Sequence, residues 1–403
     1  MEKYTVIIPT RDRAETLEAT LRTCLRQTYK NFEIIVSDNC SSDNTREVVD
    51  CFNDPRIRYI NPGRCLSMSG NFEFALGHVA EGFVMFIGSD DGIMPDAIHY
   101  VDSIVKKYKV DAVSCRQATY VWPSFPDKAI AGNLNFGGVR GDIEIRSSPE
   151  WIRKTLNFHA PYCFDLPNLY CGFVHKRIIN KAIKNGQYFR SINPDAYSAL
   201  ATAIFIDKYA FSHKPFSIAG ASSKSNGASA MHPGANVDES NKFFSENDIN
   251  FCEGFVICPS LEICVAESFA KLAQAFPEMC SQYKIDYSTM LKKAIKNSNV
   301  RTAKEVNAAA LIMAVNFSKE IISSPRQVDQ SINIAINRAV LRAHALIGLF
   351  RIISIPKSDE IGVTNVDDAA LVAHVILQLS KKEKFVSVGD LVRGKLMGMV
   401  GLK

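Results

Sequence analysis

Phe83–Gly92 reads FVMFIGSDDG, an apolar run that ends abruptly in two adjacent carboxylates, Asp90 and Asp91. A short apolar run followed by turn-forming residues predicts a buried strand. In an open parallel sheet, ligands bind just beyond the carboxyl ends of the strands. Two carboxylates at such an edge need a partner, and a divalent metal or the hydroxyls of a nucleotide would supply one. A solvated Asp-Asp-Gly turn is the alternative interpretation, because Asp and Gly both favour turns.

The N-terminal segment repeats this pattern of a strand that ends in polar residues. Tyr4–Ile8 is a β-rich run that stops at Pro9-Thr10-Arg11-Asp12-Arg13, and Phe32–Val36 stops at Ser37-Asp38-Asn39. Between these runs, Leu17, Leu21 and Leu25 recur at helical spacing. Ile57–Ile60 reads as a third short strand, and Gly70–Ala80 reads as the helix that leads into the Phe83 strand.

Strands that alternate with helices at this spacing predict βαβ units, and therefore an α/β fold with a mostly parallel, Rossmann-like sheet. The crossover rules for such units bring the carboxyl ends of parallel strands to one edge. Asp12, Asp38 and the Asp90-Asp91 pair are therefore expected to converge at that edge.

Two stretches resemble a known family. VIIPTRDRAETLEATLRTCLRQTYKNFEIIVSDNCSSDNT resembles the start of a family 2 glycosyltransferase of the GT-A fold, and GNFEFALGHVAEGFVMFIGSDDGIMPDAI resembles its continuation through the DXD-type motif. Several ordered motifs at the right spacing are more specific than one short motif. The resemblance implies a GT-A catalytic domain over residues 1–235 and a UDP-sugar donor. It further implies an inverting hexosyl or N-acetylhexosaminyl transfer to a glycan or polyprenyl-linked sugar, in the synthesis of bacterial surface polysaccharide such as capsule or O-antigen.

The same resemblance assigns roles to individual residues. Asp38 would accept a hydrogen bond from the uracil N3–H, Asp90 would bind the ribose hydroxyls, and Asp91 would bind Mn²⁺ or Mg²⁺ between the phosphates. The family often has a third acid where this chain has Ser89, which leaves the metal held mainly by Asp91, the diphosphate and water. The remaining residues implied to line the uridine pocket are Pro9, Thr10, Arg11 and Asp12.

Sugar transfer also needs a group that removes the proton of the attacking hydroxyl. Pro194-Asp195 precedes an apolar helix, Ala196–Phe205, and the family places its base Asp at the start of a helix in this part of the chain. Asp195 is therefore the predicted general base, and Asp165 is the second candidate. An acid that only favours the helix dipole is the other interpretation of Asp195.

A stretch rich in Ser, Asn and Gly, residues 222–234, predicts a loop over the donor that orders on substrate binding. Some relatives complete the metal shell with a His from this region, which makes His232 the first candidate and His213 the second. Each His has a surface or packing role as its alternative interpretation.

Composition narrows the class of protein. The chain has 403 residues, 47% hydrophobic and 22% charged, with a net charge of +5, and no concentrated basic and aromatic patch that would indicate nucleic-acid binding. Its 11 cysteines are scattered, without a CxxC pair or a secretory signal, which predicts reduced thiols in a cytoplasmic protein, with the cytoplasmic face of the inner membrane as a further location. No apolar span is long enough for a transmembrane helix, and the nearest window, Ser331–Phe350, contains Arg338 and Arg342.

Beyond residue 235 the pattern changes. Residues 236–255 read as a linker or exposed loop, and residues 256–403 as an α-helical domain that would hold the acceptor, form a homo-oligomer or contact the membrane. The basic amphipathic tail, Lys381–Lys403, fits either a membrane interface or a final helix packed on this domain. The helix patterns are Leu261–Ala275, Ser288–Lys296, Thr302–Ile322, Pro325–Ile353 and Val366–Leu379.

Two other functional classes remain open at this stage. A sugar nucleotidyltransferase uses a similar sheet and metal, but it more usually has a Gly-rich basic phosphate loop, which Pro9–Arg13 is not. A catalytically inactive GT-A binding module is the other alternative, and Ser89 is the residue that favours it.

Overall fold

A computed structural model describes residues 1–137, 143–159, 164–225, 243–317 and 352–379. These residues form two β-sheets with helices packed against them. The strands, in chain order, are β1 (Tyr4–Thr10), β2 (Phe32–Asp38), β3 (Ile57–Ile60), β4 (Phe83–Phe86), β5 (Gly92–Ile93), β6 (Ala112–Cys115), β7 (Ala118–Val121), β8 (Leu134–Gly137), β9 (Ile143–Ser147), β10 (Phe173–His175), β11 (Lys208–Ser212), β12 (Ser217–Ala221) and β13 (Ile352–Ile355).

The helices lie between these strands and, beyond residue 260, follow one another. A short 3₁₀ helix, Ser358–Ile361, precedes the last one. The α-helices are α1 (Ala14–Leu25), α2 (Thr45–Asp50), α3 (Met68–Gly77), α4 (Ala97–Tyr108), α5 (Ser148–Leu156), α6 (Lys176–Lys181), α7 (Pro194–Ile204), α8 (Leu261–Ala275), α9 (Pro277–Cys280), α10 (Tyr287–Asn297), α11 (Ala303–Asn316) and α12 (Val366–Leu379).

The first sheet carries the strands predicted from the N-terminal motifs. Its order is β3-β2-β1-β4-β10-β6-β11-β9, and the first four of these strands are parallel. β1, β2 and β4 are buried along almost their whole length, because helices cover both faces of the sheet. Successive residues of a strand point to opposite faces, so Val6 and Ile8 enter one core while Ile7 enters the other. The mostly parallel sheet predicted for this segment is present in β1 to β4, and antiparallel β10 and β9 extend it.

The second sheet has the order β13-β8-β7-β12-β5 and joins distant parts of the chain. β13 pairs with β8, and the Tyr120 hydroxyl donates to the carbonyl of Val363 at 3.0 Å. α12 packs against α1, where Arg26 donates through two nitrogens to the carboxylate of Asp367, each at 2.7 Å. Residues 352–379 therefore lie against the N-terminal sheets.

Most of the predicted helices beyond residue 255 are present, and one prediction is wrong. α8 and α12 have the predicted bounds, and α11 ends at Asn316, so the rest of the predicted Thr302–Ile322 helix lies outside the described residues from 318 onward. The predicted helix Pro325–Ile353 also lies outside them, except that Ile352 and Ile353 belong to a strand. β-Branched residues favour strands, and pairing with β8 decides the conformation there. The tail, 381–403, is not among the described residues, and the domain boundaries at 235 and 255 stay predictions.

Helices α8, α10 and α11 pack on one another around Ile263, Met290 and Val306, all fully buried, and α8 also packs against α7. Among the helices within the described ranges, none combines the length and the apolar character that crossing a bilayer requires.

Candidate active site

The register of the first sheet brings three predicted loops to one edge. β1 and β2 are parallel with Thr10 opposite Asp38, and β4 lies on the other side of β1. The Thr20 hydroxyl of α1 is shared between the carbonyls of Ser89 (2.9 Å) and Asp91 (2.7 Å), so the helix after β1 holds the acidic loop. The expected convergence at the carboxyl edge of the sheet is therefore present.

Hydrogen bonds through Ser41 join the first two loops. The Ser41 hydroxyl donates to Asp38 Oδ1 (2.5 Å) and accepts from the backbone N–H of Asp12 (2.8 Å). Asp12 has a φ of 54°, which Asp tolerates better than most residues, and its Oδ1 accepts from the N–H of Ser42 at 2.7 Å. Asp38 Oδ2 accepts from the Tyr59 hydroxyl at 2.5 Å. The hydroxyls of Ser41 and Tyr59 both donate to Asp38, so this buried carboxylate is held as an acceptor between the two loops.

The loop after β1 also offers a hydroxyl. Thr10 is buried, and its Oγ1 has no hydrogen-bond partner within the part of the chain that the structure describes. A buried orphan hydroxyl beside Asp38 is suited to a ligand, because buried polar groups are nearly always paired. Pro9 is half-buried opposite Ser37, and Arg11 donates to Glu246 at 2.6 Å.

Asp90 is buried, and one of its carboxylate oxygens is engaged by hydroxyl groups. Its Oδ2 accepts from the hydroxyls of Ser222 (2.7 Å) and Ser225, and the Arg13 guanidinium lies 4.0 Å away. For Oδ1, no protein donor is present among the described residues. The Asp90 backbone carbonyl accepts from the Trp122 indole at 2.9 Å, which ties the loop to β7.

Asp91 is enclosed by donors on both carboxylate oxygens. Its Oδ1 accepts from the N–H of Gly220 (2.7 Å), and its Oδ2 accepts from the N–H of Gly88 (2.7 Å) and the Tyr170 hydroxyl (2.5 Å). Burial and the neighbouring charge of Asp90 raise the pKa of Asp91 to about 7. Burial and Asp91 also raise the pKa of Tyr170 well above its usual range, so this phenol stays a donor.

The donor chemistry of this pair fits a hard divalent cation, which takes one or two carboxylates and completes its shell with substrate phosphates and water. Asp91 would have to exchange protein partners to bind a cation, whereas the donors to Asp90 among the described residues contact only its Oδ2. Among the described residues, no three His, Cys, Asp or Glu side chains form a metal-binding group. His213 Nε2 lies 3.3 Å from the Glu144 carboxylate on β9, and His232 lies outside the described residues. The sequence-based roles of Asp90 on the ribose and Asp91 on the metal stay predictions.

The two candidate bases lie in different environments. Asp195 is half-buried in the first turn of α7. The Ser198 hydroxyl donates both to the Asp195 carbonyl (3.0 Å) and to Asn168 Oδ1 (3.2 Å). Asn168 Oδ1 also accepts from the N–H of Tyr170, whose hydroxyl donates to Asp91, so hydrogen bonds connect the first turn of α7 with the acidic loop. Asp165 instead accepts from the buried Arg146 at 2.9 Å, and that guanidinium lies 3.4 Å over the Phe211 ring. The contacts of Asp165 favour a structural role.

Sequence reasoning missed most of the donors that hold the carboxylates. Tyr59 follows from the third strand, since it lies opposite Val36 in the register, but only the paired sheet reveals this. Tyr170 is 79 residues from Asp91, and no local pattern marks it. Gly88 is required by close packing, because a Cβ there would lie 2.9 Å from the Tyr170 hydroxyl and 3.0 Å from Asp90 Oδ1.

The mixed sheet, with parallel leading strands and acids beyond their carboxyl ends, confirms the α/β fold class predicted from the sequence. Residues 5–160 match the family model described as glycosyl transferase family 2. The resemblance to family 2 glycosyltransferases that the sequence motifs indicate is therefore confirmed over this segment.

Similar proteins match over about a quarter of the chain. The chain is 35% identical over 91 residues to the UDP-Glc:alpha-D-GlcNAc-diphosphoundecaprenol beta-1,3-glucosyltransferase WfaP of Escherichia coli, which is 23% of this chain and 36% of that protein. It is 37% identical over 101 residues to the GalNAc(5)-diNAcBac-PP-undecaprenol beta-1,3-glucosyltransferase of Campylobacter jejuni, which is 24% of this chain and 33% of that protein. The chain thus spans about a third of the length of these relatives. The crystal structure of S. aureus TarS 1-349 aligns with a TM-score of 0.42 at 14% identity, covering 80% of this chain and 93% of that one.

Proposed function

We propose that this protein transfers a sugar from a UDP-sugar to a hydroxyl of a glycan or lipid-linked acceptor, with inversion at the anomeric carbon. The observation that carries the proposal is the cluster of Thr10, Asp38 and Asp90 at adjoining strand ends, in a segment that matches the model of glycosyl transferase family 2. The names of the two bacterial relatives specify undecaprenol-linked acceptors, and one of them specifies UDP-Glc. They support a role in polysaccharide synthesis, and a lipid-linked acceptor would bring the protein to a membrane surface.

Uridine is the proposed nucleoside because Asp38 is held as an acceptor. Its partners Ser41 and Tyr59 both donate to it, so both carboxylate oxygens act as acceptors. An ionised carboxylate accepts from the uracil N3–H, whereas neutral cytosine has no proton at N3. The orphan hydroxyl of Thr10 lies beside it and would pair with the nucleoside.

The sequence assigned the metal to Asp91, but we propose Asp90 for the contact with a divalent cation. Both oxygens of Asp91 already accept from the protein, whereas the donors to Asp90 among the described residues all contact its Oδ2. A cation there would offset the charge that grows on the leaving diphosphate. Arg13, 4.0 Å from Asp90, adds positive charge at the same place. Asp91 then shapes the loop through Gly88, Gly220 and Tyr170.

Calorimetry with UDP separates these two carboxylates. Asp90→Asn should remove the metal-dependent part of UDP affinity, while Asp91→Asn should mainly lower the Tm, because one of its oxygens would become a donor facing another donor. Equal UDP affinity of the wild-type protein with and without Mn²⁺ would contradict the metal contact. Loss of metal dependence in Asp91→Asn alone would reverse the assignment.

Asp195 is the proposed general base, because it is partly exposed, lies at the positive end of α7, and belongs to a helical turn that hydrogen bonds connect with the acidic loop. Asp195→Asn keeps the size of the side chain and removes proton acceptance. We expect turnover to fall by roughly a hundredfold or more, with UDP affinity nearly unchanged. Asp207→Asn, just beyond the other end of the same helix, is the matched control.

The assay starts from a panel of UDP-hexoses and UDP-N-acetylhexosamines, first by thermal shift with Mn²⁺ and then by donor hydrolysis and transfer. NMR of the product should show the anomeric configuration opposite to that of the donor. Retention of configuration, or wild-type turnover in Asp195→Asn, would remove Asp195 from this role. A protein that binds UDP-sugars but neither hydrolyses nor transfers them would be a binding module.

A further inference from the structure

A buried carboxylate on α8 connects the helical region with the proposed active site. Glu267 is 1% exposed, and α8 packs against α7. Its Oε2 accepts from the Ser191 hydroxyl at 2.8 Å, and its Oε1 accepts from the N–H of Cys252 at 3.3 Å. Burying a carboxylate is costly unless it is hydrogen-bonded, so these contacts hold Glu267 in place.

Ser191 links Glu267 to the segment that precedes α7. The Ser191 hydroxyl also accepts from the Ser268 hydroxyl (2.9 Å) and from the N–H of Asn193 (3.4 Å). Its backbone carbonyl accepts from the Ser69 hydroxyl of α3 at 2.7 Å. Ser191 is fully buried, so this small network is shielded from water.

Asn193 forms the next link, because it caps α7. Its side chain accepts from the N–H of Ala196 at 3.3 Å and fixes the turn in which Asp195 lies. Burial raises the pKa of the Cys264 thiol, one turn before Glu267, and a hydrogen bond with Asn193 opposes that rise. Residues three and four apart share one face of a helix, so a single face of α8 contacts this segment through Cys264, Glu267 and Ser268.

We infer that Glu267 is a positioning residue for Asp195, acting through Ser191 and Asn193. The inference rests on the proposed function, since it takes Asp195 to be the base. This inference assigns a role to the helical region, because α8 then fixes the start of α7 and the position of the Asp195 carboxylate. A misplacement of about 1 Å in a catalytic group lowers turnover by up to about a hundredfold, so the network should affect the rate.

Glu267→Gln tests the positioning role at nearly constant side-chain volume. The Gln amide has only one acceptor oxygen, whereas Ser191 and Cys252 each donate to a separate carboxylate oxygen of Glu267. We expect kcat to fall by roughly tenfold to a hundredfold, with KM for the UDP-sugar and UDP affinity unchanged. Ser191→Ala breaks the same link while leaving Glu267 in place, and it should give the same split between kcat and KM. Glu262→Gln on the same helix, where Glu262 contacts Ser260 and Asn297, is the matched control and should keep the wild-type kcat.

A double-mutant cycle with Asp195→Asn separates this inference from the proposed function. If Glu267 acts through Asp195, Glu267→Gln has little further effect in the Asp195→Asn background. Equal fold losses in both backgrounds would overturn the positioning role and leave Asp195 as the base. Wild-type turnover in Asp195→Asn would overturn the proposed function. If Glu267→Gln fails to fold, an unchanged kcat in Ser191→Ala overturns the inference.

Discussion

Gly220→Ala adds one methyl group where two backbone segments meet beside the acidic loop. A Cβ at Gly220 would lie 1.8 Å from the carbonyl oxygen of Asp90. That carbonyl accepts from the Trp122 indole at 2.9 Å, and the Gly220 N–H donates to Asp91 Oδ1 at 2.7 Å, so both segments are tied in place. Real Cβ atoms do not come closer than 3.0 Å, so the backbones must separate by about 1.2 Å, from 1.8 to 3.0 Å.

This separation is large compared with the tolerance of a binding site. Overpacking of this kind lowers the free energy of unfolding by about 1 to 3 kcal/mol. Because Asp90 and Asp91 both shift, we expect turnover to fall by about a hundredfold, as for a misplacement of about 1 Å. Urea unfolding, UDP calorimetry and steady-state kinetics measure the three effects.

Gly77→Ala is the control for the methyl group itself. Gly77 is the last residue of α3, and nothing lies within 4 Å of a Cβ there. The change should raise the free energy of unfolding by up to about 1 kcal/mol, because Ala favours a helix over Gly, and should leave UDP binding unchanged. Gly220→Ala protein with wild-type stability, UDP affinity and turnover would refute the close approach of β12 to the acidic loop.

Three further predictions follow from single contacts. Asp38→Asn should lower UDP affinity by about tenfold or more and improve CDP relative to UDP, because the amide can donate to cytosine N3; competition binding in which the UDP preference survives would contradict uracil recognition. Burial raises the pKa of Glu267 above its ordinary value of 4.5, so the unfolded chain releases this proton at lower pH than the folded one. Stability from this group is therefore lost as pH rises from 4.5 through the folded pKa, and Glu267→Gln should flatten that decline in urea unfolding, whereas an unchanged slope would contradict it. Arg26→Met should lower the free energy of unfolding by about 1 to 2 kcal/mol, since it leaves the buried Asp367 unpaired, and thermal melts matching wild type would show that the ion pair contributes nothing.

Hydrophobic patterns in the sequence predicted those helices and strands whose conformation is determined by their own residues. The bounds of Ile57–Ile60, Leu261–Ala275 and Val366–Leu379 agree with the sequence analysis, because apolar spacing and flanking turns lie within each segment. The second sheet was not predicted. Its strands β5, β7 and β12 are short, and they pair with partners far away in the sequence, so no period within one segment reveals them.

The candidate site divides in the same way. The strands predicted from the sequence were enough to bring Asp12, Asp38 and Asp90 together, because the carboxyl ends of parallel strands lie at one edge of the sheet. The donors that distinguish Asp90 from Asp91 come from distant parts of the chain. Gly220 and Tyr170 donate to Asp91, and Ser222 and Ser225 donate to Asp90. Asp90 and Asp91 are adjacent in the sequence, but their environments differ because of contacts that form only in the folded chain.

The contacts of residues 352–379 bear on the order in which the chain folds during synthesis. Arg26 and Asp367 are 341 residues apart, and pairing such distant segments slows folding. Domains fold from the N-terminus as the chain emerges from the ribosome. One edge of β8 therefore stays unpaired, and one side of α1 stays uncovered, until residues 352–379 have been synthesised. An unpaired edge is a template for pairing with another chain. A fragment expressed only to residue 235 would keep both surfaces open permanently, and aggregation, ahead of any loss of nucleotide binding, is its expected defect.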